Sequence, residues 1–484
     1  MPTSEKSVQC DKVQYAPTFQ DNDYPEDRRI TRKVDFRLLP ILTLLYLLSF
    51  LDRSNIGNAK YVLSFLDLDI SASAYNTALA IYFVGYVIFE VPSNLILKRF
   101  DPQLWLPSLT LTWGIVSICQ GLVKNQAGLF DIRFLLGATE AGLFPGVVYV
   151  FSVYYQRRQR SWRVAVFFGG AALAGAFGGI FAYAIGLMNG VGGRKGWQWI
   201  FILEGILTVA ISLIAYFLVP TWSHKAKFLT EEERVHLLDR LRVDSDAGTN
   251  QTFQWSSVRQ AFGDHLVWAY AFLFHGFSFV LYSLSFFLPT IIADLGFATW
   301  QAQLMTVPPN TLASISIWGT VWLSSRWNLR APFIIGAALV AIIGYIILLT
   351  CTTPGLQYFG IHLATAGVYT GNSLLLSWPS ENVSGQTKRA VAVALQITIG
   401  DIAAIAGCLI YRPSLSAHLY RKPNLIAIGY LLFAIFATCY LWIMMAWENR
   451  RRQMLLAEGT VGCCETEEVK VRLGDRSIHY TYQL

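Results

Sequence analysis

The 484-residue chain is 54% hydrophobic and 14% aromatic but only 14% charged, whereas an ordinary globular protein carries roughly 25% charged residues. Its apolar residues fall in blocks of roughly 20, the length a helix needs to cross a bilayer with its backbone hydrogen bonds satisfied internally, which excludes an ordinary soluble protein. Seven cysteines scattered without metal or disulfide spacing exclude a zinc module or a disulfide scaffold, and the net charge of +7 sits in loops that orient a membrane protein rather than in a nucleic-acid patch.

In chain order, residues 1–37 form a polar tail with no apolar signal-peptide core, so the first span is expected to act as the targeting signal. Six spans follow at 38–59, 75–97, 104–123, 128–153, 164–188 and 199–219, making a first half over 38–219. A loop at 220–265 carries Thr230 and Glu233 at capping-box spacing, predicting a helix that reaches about Arg242. A second half over 266–447 holds spans at 266–292, 303–324, 332–351, 358–378, 391–411 and 425–447, and a tail runs over 448–484. Its Cys463-Cys464 pair reads as inert thiols, with lipidation the alternative. With the N-terminus inside, 29 of the 38 Lys and Arg fall in inside segments. The expected architecture is therefore an all-α membrane protein: twelve transmembrane helices in two six-helix pseudo-symmetric halves, both termini cytoplasmic, with cargo bound near midplane. The sequons at Asn250 and Asn382 then lie on the cytoplasmic side and stay unmodified.

An ionisable side chain inside a span costs several kcal/mol unless it faces protein or water. The first half has Asp52, Arg53, Glu90, Arg133, Glu140 and Glu204; the second has only His275, His362 and Asp401, with no Lys or Arg in its spans. The fixed positive partner of an anionic cargo must come from the first half. At 1.5 Å per residue, Asp52, Arg53 and Arg133 reach a shared level roughly 8–9 Å from the outer edge. Glu140 follows Arg133 by seven residues, two turns deeper on the same face. A guanidinium grips a carboxylate bidentately, and a carboxylate in a dry cavity exchanges a proton in response to nearby charge, which suits proton-coupled anion transport. The alternative is an ion pair that locks the first half. His275 and Tyr282, two turns apart, are placed to line the opposite wall, His275 as proton carrier or donor to cargo, with a histidine satisfied by a neighbouring helix as the equal alternative. Asn372 and Gln396 are further polar contacts to substrate, Asp401 is a weaker candidate read as a gating or structural group, and Glu204 and His362 read as structural. Small-residue stripes at Gly170-Ala174-Gly178 and Ala171-Gly175-Gly179 predict close helix packing.

The run Tyr46-Leu47-Leu48-Ser49-Phe50-Leu51-Asp52-Arg53-Ser54-Asn55-Ile56-Gly57-Asn58-Ala59 resembles the first span of the anion:cation symporter family of the major facilitator superfamily. Phe89-Glu90-Val91-Pro92-Ser93-Asn94, Arg133 through Gly142, Gly196-Trp197-Gln198-Trp199-Ile200-Phe201 and Ser377-Trp378 through Thr387-Lys388-Arg389-Ala390 resemble its fungal branch of allantoate, nicotinate and pantothenate permeases. The resemblance implies that Arg53 engages the substrate carboxylate, that Arg133 is a second substrate-binding arginine, that Glu140 couples protons, and that Asp52 is a second protonation site. Glu90, Asn94, Lys98 and Arg99 stand where the gate after the second span is expected; only Lys98 and Arg99 remain of the superfamily's usual Gly, Asp and Arg run.

Together these readings predict a secondary active transporter, moving a small organic anion such as a vitamin or ureide with protons by alternating access. Its partners are the anion, protons and the lipid bilayer, with no nucleic acid; it works as a monomer in the plasma membrane, a vacuolar or other endomembrane site being the alternative. No span carries a metal-ligand cluster and no nucleotide loop appears, so neither an enzyme nor a cofactor is expected. Proton-driven efflux of a secondary metabolite and a non-transporting nutrient receptor are the competing functions.

Overall fold

The computed structural model describes residues 25–62, 71–243, 255–410, 420–457 and 473–484; Asn250, Cys463 and Cys464 lie outside them. The described residues form long helical rods: α1 (Pro25–Val62), α2 (Ala72–Arg99), α3 (Pro102–Gln120), α4 (Gln126–Glu140) continuing as α5 (Leu143–Tyr154), α6 (Arg157–Gly186) and α7 (Gly196–Leu218). Short helices α8 (Glu231–Val243) and α9 (Trp255–Phe262) lead to α10 (His265–Ala293), α11 (Thr299–Leu304) with α12 (Val307–Trp327), α13 (Ala331–Thr350), α14 (Pro354–Asn382), α15 (Gln386–Ile410) and α16 (Arg421–Ala457). Taking α4–α5 and α11–α12 as bent single rods, the twelve expected spans each have their helix. Nine of these rods among the described residues are long and apolar enough to cross a membrane. The others, α3, α12 and α14, carry polar residues such as Ser117, Gln120, Asn310, Ser314, Thr370 and Asn372 that are buried against neighbouring helices.

Pairing of the rods repeats. In the first half α1 packs on α6, α2 on α4 and α3 on α7; in the second, α10 packs on α15, α12 on α14 and α13 on α16. Counted as rods, these are pairs one–five, two–four and three–six, then seven–eleven, eight–ten and nine–twelve, so the halves share one plan. The halves meet along α2–α15, α6–α12 and α1–α10. The small-residue stripe of α6 serves the second of these seams: a Cβ at Gly175 would collide with Asn310, and one at Gly179 with Gln303 and Thr306.

Several element ends differ from the sequence reading. Helix α1 starts thirteen residues before the expected span, because Glu26 and Asp27 favour its first turn. Its charged start is tied down by Arg163, which donates to Asp35 at 2.7 and 2.8 Å, and by Lys33, which donates to Glu233 of α8. The hydrogen bond from Lys33 holds the Glu233 carboxyl below its usual range. Thr230 and Glu233 form the expected capping box, at 3.1 and 3.3 Å. Helix α16 runs on to Ala457, and residues 473–484 fold back beneath the second half. There Asp475 accepts from Lys388 at 2.5 Å, and the Gln483 carbonyl accepts from Trp378 and Asn382 at 3.0 and 2.9 Å. The described start of α1, helices α8 and α9, and this C-terminal segment occupy the same end of the molecule, hereafter the basal end.

Close packing of α2 on α4 depends on Gly137, where a Cβ would overlap the Tyr82 carbonyl oxygen. Gly137→Ala should destabilise the protein by roughly 1–3 kcal/mol. Gly319→Ala, with open space around it, should stabilise by up to about 1 kcal/mol through helix propensity. Thermal unfolding of the purified variants in detergent checks both signs.

Candidate substrate and proton site

Tyr46, Ser49, Phe50 and Arg53 fall at helical spacing along one face of α1. Ser49 and Arg53 meet Glu140 of α4, while Tyr46 stacks on Phe167 of α6 and Phe50 meets Tyr369 of α14 edge-on. Arg53 is 4% exposed. Its Nη2 donates to Glu140 Oε1 at 2.8 Å and its Nη1 to the Tyr282 hydroxyl at 2.8 Å. Glu140 also accepts from the Tyr82 hydroxyl at 2.7 Å and from the Ser49 hydroxyl. The guanidinium carbon lies 5.1 Å from the centre of the Tyr82 ring, 5.2 Å from Tyr86 and 5.7 Å from Tyr282. Phe83 packs edge-on against Tyr282 at 4.7 Å. A buried charge is thus held by one carboxylate, one cross-half hydroxyl and the electron-rich faces of three tyrosines. Its Nε has no hydrogen-bond acceptor among the described residues.

Asp52 points the other way, into the first half. It accepts from Ser117 at 2.9 Å, Trp113 at 3.2 Å and Thr208 at 3.3 Å, on α3 and α7. One turn on, Asn55 donates to Glu204 Oε2. Arg133 is buried on α4 with its guanidinium 5.9 Å from the Phe201 ring; its Nε and Nη2 find no acceptor among the described residues. Arg133 and Glu140 are both buried, yet Glu140 faces Arg53 whereas Arg133 faces α7. A guanidinium with two unused buried donors is suited to an anion that completes its hydrogen bonding.

In the second half, Tyr282 joins Arg53 but His275 turns aside: its Nδ1 lies 3.0 Å from the Ile399 carbonyl of α15, and its ring packs by Tyr430. Asn372 donates to the carbonyls of Val368 and Phe277 at 3.0 and 3.4 Å, and Gln396 to that of Leu375 at 3.1 Å; Asn372 Oδ1 and Gln396 Oε1 accept nothing among the described residues. Of the gating set, Asn94 donates to the Glu90 carbonyl at 3.0 Å, and Arg99 is exposed at the end of α2. Lys98 lies on the last turn of α2, its side chain outside the described residues. Glu90 accepts from Thr398 of α15 at 3.2 Å, and Asp401 lies one turn further along that helix.

Of the three tyrosines around Arg53, the sequence reading named Tyr282 and missed Tyr82 and Tyr86. Tyr82 and Tyr86, four apart on α2, are the signal that could have found them, since Arg53 needs aromatic faces if it is buried. It also missed the buried pair of Arg330 with Glu381 at 3.2 Å, at the basal end of the second half.

A basal cavity of about 500 Å³ opens between the halves. Asn94, Val148 and Arg160 line it from the first half, and Arg389, Ala394 and Thr398 from the second. Near the opposite end of α1, a Cβ at Gly57 would crowd the Phe286 carbonyl, so α1 and α10 are in close contact there.

A long-helix plan with two repeated halves around a buried cation is that of a membrane carrier, and the comparisons agree: residues 42–408 match the Major Facilitator Superfamily, and the chain belongs to that family of transporters. It is not an enzyme. Among curated relatives, the high-affinity nicotinic acid transporter of Saccharomyces cerevisiae is 31% identical over 95% of this chain and 85% of its own. The MFS transporter prlL of a fungal species is 36% identical over 88% of both chains. These relatives fit the fungal permease branch to which the motifs pointed. Among solved structures, the proton:xylose symporter matches with a TM-score of 0.68 at 15% identity, over 84% of this chain and 95% of that one, which supports the fold.

Removing the counter-charge of a buried guanidinium is costly. Glu140→Ala should destabilise by roughly 3–5 kcal/mol, and Glu140→Gln, which keeps the shape and part of the hydrogen bonding, by roughly 1–3 kcal/mol. The order of apparent unfolding temperatures in detergent checks this, with wild type highest and Glu140→Ala lowest.

Proposed function

We propose that this transporter is a proton-coupled symporter of a small organic anion, acting in the plasma membrane by alternating access with its basal end in the cytoplasm. The observation that carries the reading is the shared guanidinium of Arg53, bound at once to Glu140 of its own half and to Tyr282 of the other. Empty, the site balances one guanidinium with one carboxylate. A cargo carboxylate that takes the place of Glu140 on Arg53 leaves Glu140 in dry surroundings, where the neutral acid is favoured and a proton is bound. The loaded site then has the same net charge as the empty one, so anion and proton are expected to enter and leave together. Tyr282 carries the change to the second half, because its hydrogen bond is to the same guanidinium. Arg133 supplies a second cationic contact and Asp52 a second protonation site, with Tyr282, Asn372 and Gln396 as the polar groups of the second half, while His275, held at the Ile399 carbonyl, stands aside.

The ring faces of Tyr82, Tyr86 and Tyr282 around Arg53 favour a flat carboxylate, and one relative is named a nicotinic acid transporter. Nicotinate is therefore the first probe. In permease-deficient yeast, radiolabelled nicotinate and a panel of other carboxylates should accumulate faster at acidic than at neutral external pH. No uptake of any carboxylate at either pH would remove the reading, and accumulation only in inverted vesicles would replace uptake by efflux.

Two variants test the roles. Arg53→Lys keeps the charge but loses the fork that grips a carboxylate, so uptake should fall about tenfold or more with the protein still at the membrane. Glu140→Gln should abolish acceleration by an imposed pH gradient while exchange of labelled for unlabelled cargo survives. Unchanged pH dependence in that variant excludes Glu140 as the proton carrier.

A further inference from the structure

On the seam between α2 and α15, opposite to that of α6 and α12, the halves present carboxylates to each other. Glu90 is 0% exposed and Asp401 4%. Thr398 of α15 donates across the seam to Glu90 Oε2 at 3.2 Å, and Asp401 follows Thr398 by three residues on the same face, where its charge bears on Glu90. Glu90 Oε1 and Asp401 Oδ2 accept no hydrogen bond among the described residues. The surroundings do not neutralise them. Arg53 is the cation that acts on Asp401, but it is bonded to Glu140, whose charge also bears on Asp401. Tyr86 of α2 and Tyr282 of α10 are neutral, and the His275 ring is held by the Ile399 carbonyl. Asp401 thus shares its one nearby cation with Glu140, and Glu90 meets Asp401 without a cation of its own among the described residues, an arrangement whose charge cost falls when a proton is bound.

The basal cavity supplies the second observation. Its lining includes Thr398, which donates to Glu90, and Asn94, which donates to the Glu90 carbonyl, so the space between the halves extends to the residues that hold Glu90 in place. We propose that Glu90 and Asp401 together form a further proton-binding site, built jointly by the two halves and distinct from both Glu140 and Asp52, which is loaded while α2 and α15 are in contact and discharges through the basal cavity as they part. Protonated, the pair can share a hydrogen bond and the seam stays closed; deprotonated, two like charges push α2 from α15 and draw water between them. The site deepens the proton-coupled reading and rests on it for its use in transport, but its test needs no cargo.

The full chain, with its cysteines replaced, is spin-labelled at Phe100→Cys on the basal end of α2 and Met454→Cys on the basal end of α16, both exposed, and reconstituted in lipid nanodiscs. Electron–electron distance measurements are made across about pH 5 to 8, where perturbed carboxylates titrate. In the parent, the population of longer distances should rise with pH. Glu90→Gln and Asp401→Asn should each cut that change at least about twofold, and the double variant should abolish it. Thr398→Val, which removes the donor to the ionised form and leaves both acids, should move the midpoint to higher pH; it keeps the idea testable if a carboxyl variant misfolds. A double variant that titrates like the parent overturns the proposal. So does a response lost in Glu140→Gln but retained in Glu90→Gln, which would leave the symport reading intact. Failure of pH-driven carboxylate uptake with the pair still titrating would instead remove the symport reading and keep the site.

Discussion

A guanidinium cannot be deprotonated to escape burial, so Arg53 sets terms for everything around it. The positive charge needs a carboxylate, and Glu140 on α4 supplies it at 2.8 Å. It needs polarisable surroundings, and tyrosines from α2 and α10 turn their faces to it. Bringing α4 close enough for that carboxylate requires α2 and α4 to touch backbone to backbone, which Gly85 and Gly137 permit: a Cβ on either would strike the carbonyl of Phe134 or Tyr82. The glycines of this seam are thus part of the electrostatics, because a wider helix spacing would strand the charge.

The two seams between the halves solve the problem of moving surfaces in different ways. Along α6 and α12 the contact is made by Gly169, Gly175 and Gly179 against Trp318, Asn310 and Gln303. Small side chains allow a close approach over much of the helix length, and few contacts are lost when such surfaces shift slightly. Along α2 and α15 the contact is made partly by acids, whose mutual energy depends on whether a proton is present. A rocking motion needs a pivot that tolerates change and a seam whose closure is conditional, and the molecule assigns these to opposite sides.

Hydropathy and Lys/Arg placement were enough to read the rods, because a bilayer demands long apolar helices and tolerates few alternatives. Charged residues within spans were equally legible: Arg53, Glu140, Asp52 and Arg133 are all buried. What linear reading could not supply is rotation about each helix axis. Arg133 and Glu140 share a face by spacing, yet the guanidinium reaches α7 while the carboxylate reaches α1. Asp52 and Arg53, adjacent in sequence, point about 100° apart on α1 by helical geometry, which sends one into the first half and the other to the midline. His275 and Tyr282 likewise divide between α15 and the centre. Helix ends were less legible still. Charged turns such as Glu26 to Arg37 look like a tail until the partners that hold them, Glu233 of α8 and Arg163 of α6, are brought alongside.

The halves are alike in plan but unequal in charge. Arg53, Asp52, Arg133 and Glu140 belong to the first half, while the second meets them with Tyr282 and with side-chain amides whose donors are spent on backbone carbonyls. The inequality has a physical use. If both walls of a passage carried fixed opposite charges, every opening would break buried ion pairs, and leaving either partner unpaired costs several kcal/mol. A charged wall moving against a neutral, hydrogen-bonding one loses a single contact such as Arg53 to Tyr282, worth about 1.5–3 kcal/mol for a hydrogen bond to a charged group. That loss is small enough for cargo binding to offset. Near Arg53 the charged group the second half contributes is Asp401, and it bears on another acid, Glu90; there the proton, which can come and go, takes the part that a fixed cation would make too rigid.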